Sequence, residues 1–157
     1  MTSSMPPNPR WNRSRMRASA LLALAALLAF VYWDAITKNQ ASLATNSSDP
    51  GLQALELPCS TLEAVQRVTS LAASLPRWMI VTVNGKEGSI QAVHTTRFWH
   101  QLNEDIQLKF EPAGEDRCLL TGDSRSRSSM VDFGQNARNL KELRQAILAS
   151  LTPPANP

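Results

Sequence analysis

Sixteen consecutive uncharged residues, Ala18 to Trp33 (ASALLALAALLAFVYW), follow directly on a segment that holds Arg10, Arg13, Arg15 and Arg17. No polar face interrupts this run at any helical spacing, so it does not suit a surface helix that buries one stripe and solvates the other. Ala and Leu dominate it and favour helix. At about 1.5 Å per residue it spans roughly 24 Å, a little short of a hydrocarbon layer of about 30 Å. Snorkelling by Arg17 and local thinning absorb such a mismatch, and Tyr32 and Trp33 stand where interfacial anchors stand. The expectation is a signal-anchor transmembrane helix over residues 18–36. Its arginine-rich leading side stays in the cytoplasm and the rest of the chain is exported. A cleaved signal peptide has the same charged start and apolar middle. Ser42-Leu43-Ala44 offers small residues at cleavage-like spacing, but about ten residues past the apolar run, which favours the anchor.

The position of the charge narrows the function classes. The chain has 157 residues and a formal net charge of +3. Before Gly51 there are five basic residues, the four arginines and Lys38, against Asp34 and Asp49. From Gly51 onward 11 basic face 11 acidic residues. A nucleic-acid binder carries its basic patch on the folded domain, so a neutral domain argues against that class and leaves a lipid bilayer, through residues 18–36, as the partner of the basic segment. Other membrane or envelope proteins are the partners expected of the exported part. With no second apolar run, a polytopic membrane protein is excluded.

The expected organisation is a disordered basic segment over 1–17, the anchor over 18–36, and a flexible Ser/Asn-rich tether over 37–51. A folded domain follows over 52–151, with a disordered Pro-rich tail over 152–157. Ser60-Thr61-Leu62-Glu63 is a capping-box signature. Leu62, Val65, Val68, Thr69, Ala72 and Leu75 follow at helical spacing, so a helix is predicted from Thr61 to Leu75. Trp78–Val83, Ser89–Arg97, Ile106–Phe110 and Arg117–Ser124 are predicted strands. Turns at Asn84–Gly88 and Pro112–Asp116 separate the first from the second and the third from the fourth. Leu140, Leu143, Ile147 and Leu151 mark a last helix from Gln135. The fold class is α+β: a helix, a four-stranded mainly antiparallel sheet and a second helix, the two helices on one face in two layers.

Chemistry-bearing residues are few. Cys59 and Cys118 are a candidate disulfide closing a loop of about 60 residues in an oxidising compartment; two separate buried thiols are the alternative. Two Cys and two His at these spacings make no zinc site, and no cofactor is expected. His94 and His100 lack a nucleophile motif and are expected to be one strand and one loop histidine. Glu104 and Asp105 offer paired carboxylates, but adjacent strand residues point to opposite faces. Arg125 and Arg127 share a face about 7 Å apart. Ahead of a helix N-terminus they suit an anion through guanidinium forks and free N–H groups, or they pair with Glu104, Asp105 or Asp132.

Phe98, Glu104, Asp105, Ile106 and Phe110, followed by Ser124, Ser126, Arg127, Asp132, Phe133, Gly134 and Asn136, resemble a bacterial and plastid-lineage family, the domain-of-unknown-function family numbered 1499. Its second block runs R-S-x-S-R-x-G-x-x-D-[FL]-G-x-N. Asp123 stands where that pattern has Arg, Ser129 where it has Gly, and Ala137 and Asn139 where basic residues are common. The resemblance covers roughly residues 58–148. It implies an exported or membrane-attached protein, including in cyanobacteria, and so a periplasmic or thylakoid-lumen location. No activity comes with it. Asp132 and Asn136 flank Gly134, which suits side-chain capping and a left-handed turn at a helix entrance.

The candidate ligand-binding set is therefore Glu104, Asp105, Arg125, Arg127, Asp132 and Asn136. The leading expectation is a non-enzymatic interaction or scaffolding module tethered outside the cytoplasm. The alternative is a small-ligand or anion-binding domain, with hydrolysis as its extreme form, built on the arginine and acid cluster.

Overall fold

The computed structural model describes residues 9–31, 39–98, 100–127 and 134–151, with side chains over 19–30, 39–96, 103–127 and 134–151. The chain divides into two compact units, residues 1–35 and 36–157. In the first, helix α1 runs Pro9–Val31. It starts earlier than the expected span of 18–36, because Pro is well tolerated in the first turn and Arg is a good helix former. Leu21, Leu22, Leu24, Leu27, Leu28 and Phe30 are all exposed along it. The uncharged part of α1, residues 18–31, covers only about 21 Å at 1.5 Å per residue. No helix among the described residues is long and apolar enough to cross a membrane. Residues 32–36 of the expected span lie outside the described residues, as do residues 1–8 of the segment expected to be disordered over 1–17 and the tail over 152–157; residues 9–17 of that segment are helical.

The second unit is α+β, with an antiparallel sheet of six strands rather than four. Its strands are β1 Gln40–Leu43, β2 Leu55–Leu57, β3 Trp78–Asn84, β4 Ser89–Phe98, β5 His100–Pro112 and β6 Cys118–Ser126. The order is β1-β6-β5-β4-β3, with β2 also paired to β6. Gln40–Leu43, expected within a flexible tether, pairs with residues 122–125 of β6, and Leu55–Leu57 pairs with residues 118–120. Together they act as one interrupted edge strand. The interruption is closed by a 3₁₀ turn, Pro50–Leu52, capped where the Asp49 carboxylate accepts from Gly51 N at 2.9 Å. Strand β5 is longer than the expected 106–110 because β4 and β5 pair over their whole lengths, from Ser89↔Lys109 to Phe98↔His100.

Helices α2, Thr61–Ser74, and α3, Gln135–Leu151, lie on one face of the sheet as expected. Ser60 caps α2 by accepting from Glu63 N at 3.4 Å. The core is Ala64, Val65, Val68 and Ala72 of α2 and Leu140, Leu143 and Ile147 of α3, against inward residues such as Ile90, Ile106, Leu108, Phe110 and Leu120. Leu62, expected on that buried stripe, is exposed instead, because it sits against the β3–β4 turn at Gly85. Gly88 closes that turn at φ 61, and a Cβ there would strike the Phe110 carbonyl oxygen. Here glycine meets both a left-handed conformation and a close approach. Gly134 supplies the left-handed turn before α3 at φ 75.

Candidate functional site

Alternation along β4, β5 and β6 sorts the polar residues onto two faces. In β6, Cys118, Leu120, Ser124 and Ser126 point in and Asp123 and Arg125 point out; in β5, Glu104 points in and Asp105 points out. The candidate set is thereby split. Glu104 and Asn136 are buried under the helices, whereas Asp105, Arg125 and Arg127 are exposed on the far face. Asp132 lies outside the described residues.

On the outer face Arg127 is closed on Asp105. Its Nε donates to Oδ1 at 2.9 Å and Oδ2 at 3.0 Å, and its Nη2 donates to Oδ1 at 2.6 Å. These bonds hold the Asp105 carboxyl below its ordinary value and the Arg127 guanidinium above its own. Arg125 stands cross-strand from the same Asp105 on one side and from Gln40 on the other.

The inner face carries a buried polar row at one end of the sheet. Register places Trp78 opposite His94, His94 opposite Glu104 and Glu104 opposite Ser126. His94 Nδ1 lies 3.2 Å from Glu104 Oε2, and Thr96 Oγ1 donates to the same oxygen at 3.1 Å. The Trp78 ring meets the imidazole edge-on, with centroids 5.7 Å apart. The contact of Nδ1 with Glu104 leaves Nε2 as the imidazole nitrogen turned away from the carboxyl. That Nε2, Glu104 Oε1, Trp78 Nε1 and Asn139 Nδ2 are buried without a hydrogen-bond partner among the described residues. A carboxylate-held imidazole can shuttle a proton or bind a ligand through such a nitrogen, but among the described residues no hydroxyl lies within hydrogen-bonding reach of Nε2 to serve as a nucleophile. Beside this row Asn136 accepts from Ser124 Oγ at 2.7 Å and donates to the Asn39 carbonyl at 2.7 Å and to Ser126 Oγ at 3.2 Å.

His94 and Thr96 were not candidates in the sequence, although they share strand parity with the buried Ile90 and Ala92. His94 is a strand histidine as expected. His100 opens β5 rather than lying in a loop. Cys59 and Cys118 are both buried, as free thiols in contact with each other. Burial raises both thiols, and Cys118, beside Cys59, is pushed up to about 11. Each is seated in the apolar core, which favours the neutral thiol over the reactive thiolate. Away from the polar row, a cleft of ≈ 650 Å³ opens between α2 and α3, lined by Leu57, Cys59, Val68, Leu71, Ile147 and Leu151 among others. Among the described residues no three His, Cys, Asp or Glu side chains gather as a metal site.

No curated protein matches the chain. The solved structures that are distantly similar include these three. A START superfamily protein from Mycobacterium smegmatis has a TM-score of 0.42 at 12% identity, covering 73% of this chain and 97% of that one. A solution NMR structure from Thermobifida fusca has a TM-score of 0.39 at 10% identity, covering 71% and 87%. The protein XoxI from Bacillus cereus has a TM-score of 0.34 at 12% identity, covering 74% and 100%. All three scores are below 0.5 and mark distant similarity only. The family resemblance carried by the β5 and β6 residues has firmer support: the model described as "Protein of unknown function (DUF1499)" matches residues 31–147, and the chain belongs to that family.

Proposed function

We propose that this protein is a membrane-tethered domain exposed outside the cytoplasm, in the periplasm or thylakoid lumen, and that it works as a non-enzymatic interaction module. The observation that carries the interaction reading is the closed pair of Arg127 and Asp105, with Glu104 turned to the opposite face. An anion site needs its guanidinium forks open toward one space; here the Arg127 fork is occupied by Asp105, and the sheet turns Glu104 away from both arginines. The tether is supported by the four arginines ahead of an uncharged run of sixteen residues, and by the electrically balanced remainder of the chain. The bilayer is the partner of residues 18–36. Other membrane or envelope proteins are the partners of the folded unit. The experiment is a compartment-sensitive reporter fused after Pro157, combined with recovery of partners from membranes with and without residues 39–151. Reporter activity outside the cytoplasm and partners lost with the domain are expected. A reporter active only in the cytoplasm removes the topology.

A second reading, a small-ligand or anion-binding domain, is favoured by one observation: Nε2 of His94 and Oε1 of Glu104 are buried and have no partner among the described residues, and such atoms ordinarily have one. The melting temperature of the full chain with added phosphate, acetate or glycerol tests it. A rise that disappears in Glu104→Gln supports the reading, and no rise in the unaltered chain defeats it.

A further inference from the structure

We propose that the free edge of β3 is a self-association surface, on which a second copy of this chain lays its own β3 antiparallel to form one continuous sheet. The proposal names a partner for the interaction reading above and rests on it.

The two ends of the sheet differ. At one end the edge is β1 and β2, four and three residues long and broken by the 3₁₀ turn. Short, interrupted strands are poor templates for further pairing. At the other end β3 is seven residues long, and among the described strands it pairs only with β4. Its outward N–H and C=O groups can accept another strand. Edge strands are usually guarded by charge or proline, yet Trp-Met-Ile-Val-Thr-Val-Asn has neither. The one guard is a bulge between Ile80 and Thr82, which leaves regular pairing on both sides of it.

The side chains at this edge are apolar and uncovered. Met79 is 60% exposed, Val81 56%, Val83 45% and Leu62, beside the β3–β4 turn, 55%. Outside α1, the exposed large hydrophobics among the described residues are these four and Leu148. Four of those five lie along this one edge, as apolar side chains cluster in surfaces that bind protein. Its free backbone groups specify an extended strand as the occupant, in the manner of β-augmentation.

Charge favours a second copy. An uncharged strand paired antiparallel with itself brings no like charges opposite one another. A two-fold arrangement also sets the Met79 and Val81 patch against its own equivalent. Confinement to one membrane raises the effective concentration of each copy for the other.

Sedimentation of the full chain in detergent micelles is the test. A reversible dimer is expected, weakened about tenfold or more by Val81→Lys, which buries a charge in the contact. Gln107→Lys, on the exposed face of the central strand β5, should leave it unchanged. A chain carrying both Met79→Cys and Val81→Cys, which does not depend on the lysine variant folding, should give a disulfide-linked dimer on mild oxidation, because an antiparallel pair sets position 79 or 81 opposite one of the two; Gln107→Cys should not. A chain monomeric at every concentration overturns the proposal, as does a dimer equally strong in Val81→Lys without cross-linking at positions 79 and 81. Should the chain be monomeric but still recover other proteins from membranes, self-pairing fails and the interaction reading stands. A dimer that recovers no other protein leaves self-pairing intact.

Discussion

Asn136 joins three parts of the fold with one amide. Its oxygen takes the Ser124 hydroxyl from β6, and its nitrogen serves the Asn39 carbonyl just before β1 and the Ser126 hydroxyl. The same Asn39 carbonyl accepts from Ser126 N at 3.1 Å. Asn136→Ala removes the side-chain donor and acceptor while the hydroxyls stay buried, so a loss of about 2–4 kcal/mol is expected in urea unfolding. A loss below about 1 kcal/mol would mean that water takes over the bonds. The weight of this position was legible, since Ser124, Ser126, Gly134 and Asn136 stand together in the family pattern. The opposed directions of Glu104 and Asp105 were legible as well, because β-strand parity follows from Ile106, Leu108 and Phe110. The contact of His94 with Glu104 was not. It depends on the β4–β5 register, which runs from Ser89↔Lys109 to Phe98↔His100 and which parity alone does not fix.

At the scale of elements, the segments with their own patterning could be read in advance. The α2 stripe at Val65, Val68 and Ala72, the β3–β4 hairpin with Gly88, and the α3 stripe at Leu140, Leu143 and Ile147 each combine periodicity with a start or stop residue. Strands β1 and β2 could not. Gln-Ala-Ser-Leu and Leu-Glu-Leu are too short to show alternation. They are extended because β6 offers them an edge, and pairing rather than intrinsic preference makes such segments strands. Leu62 fails in the opposite sense: its spacing fits the apolar stripe, but in the first turn of α2 it reaches the hairpin rim instead of the core. The arginines and acids split across β5 and β6 for the same reason that the core forms, since inward positions there are committed to apolar packing and to one polar row. What remains outward can only pair side by side, as Asp105 and Arg127 do.

For the molecule as a whole, this brings residues 39–51 into the folding unit, which was expected to begin at residue 52. Cutting at 52 removes β1, exposes the 122–125 edge of β6, takes away the carbonyl that Asn136 Nδ2 and Ser126 N share, and uncovers the core at Leu43, which is 2% exposed. Loss of the Leu43 side chain alone resembles a large-to-small core substitution of about 2–5 kcal/mol. A domain of this size has a total stability of roughly 5–15 kcal/mol. A chain cut to residues 39–157 is therefore expected to unfold in urea cooperatively. A chain cut to residues 52–157 should unfold at a much lower midpoint, with a shallower slope, and should associate through the newly opened β6 edge. Equal midpoints for the two would return residues 39–51 to the role of a tether and leave β6, like β3, as a stable free edge. Unequal midpoints would make the segment after the apolar run part of the fold.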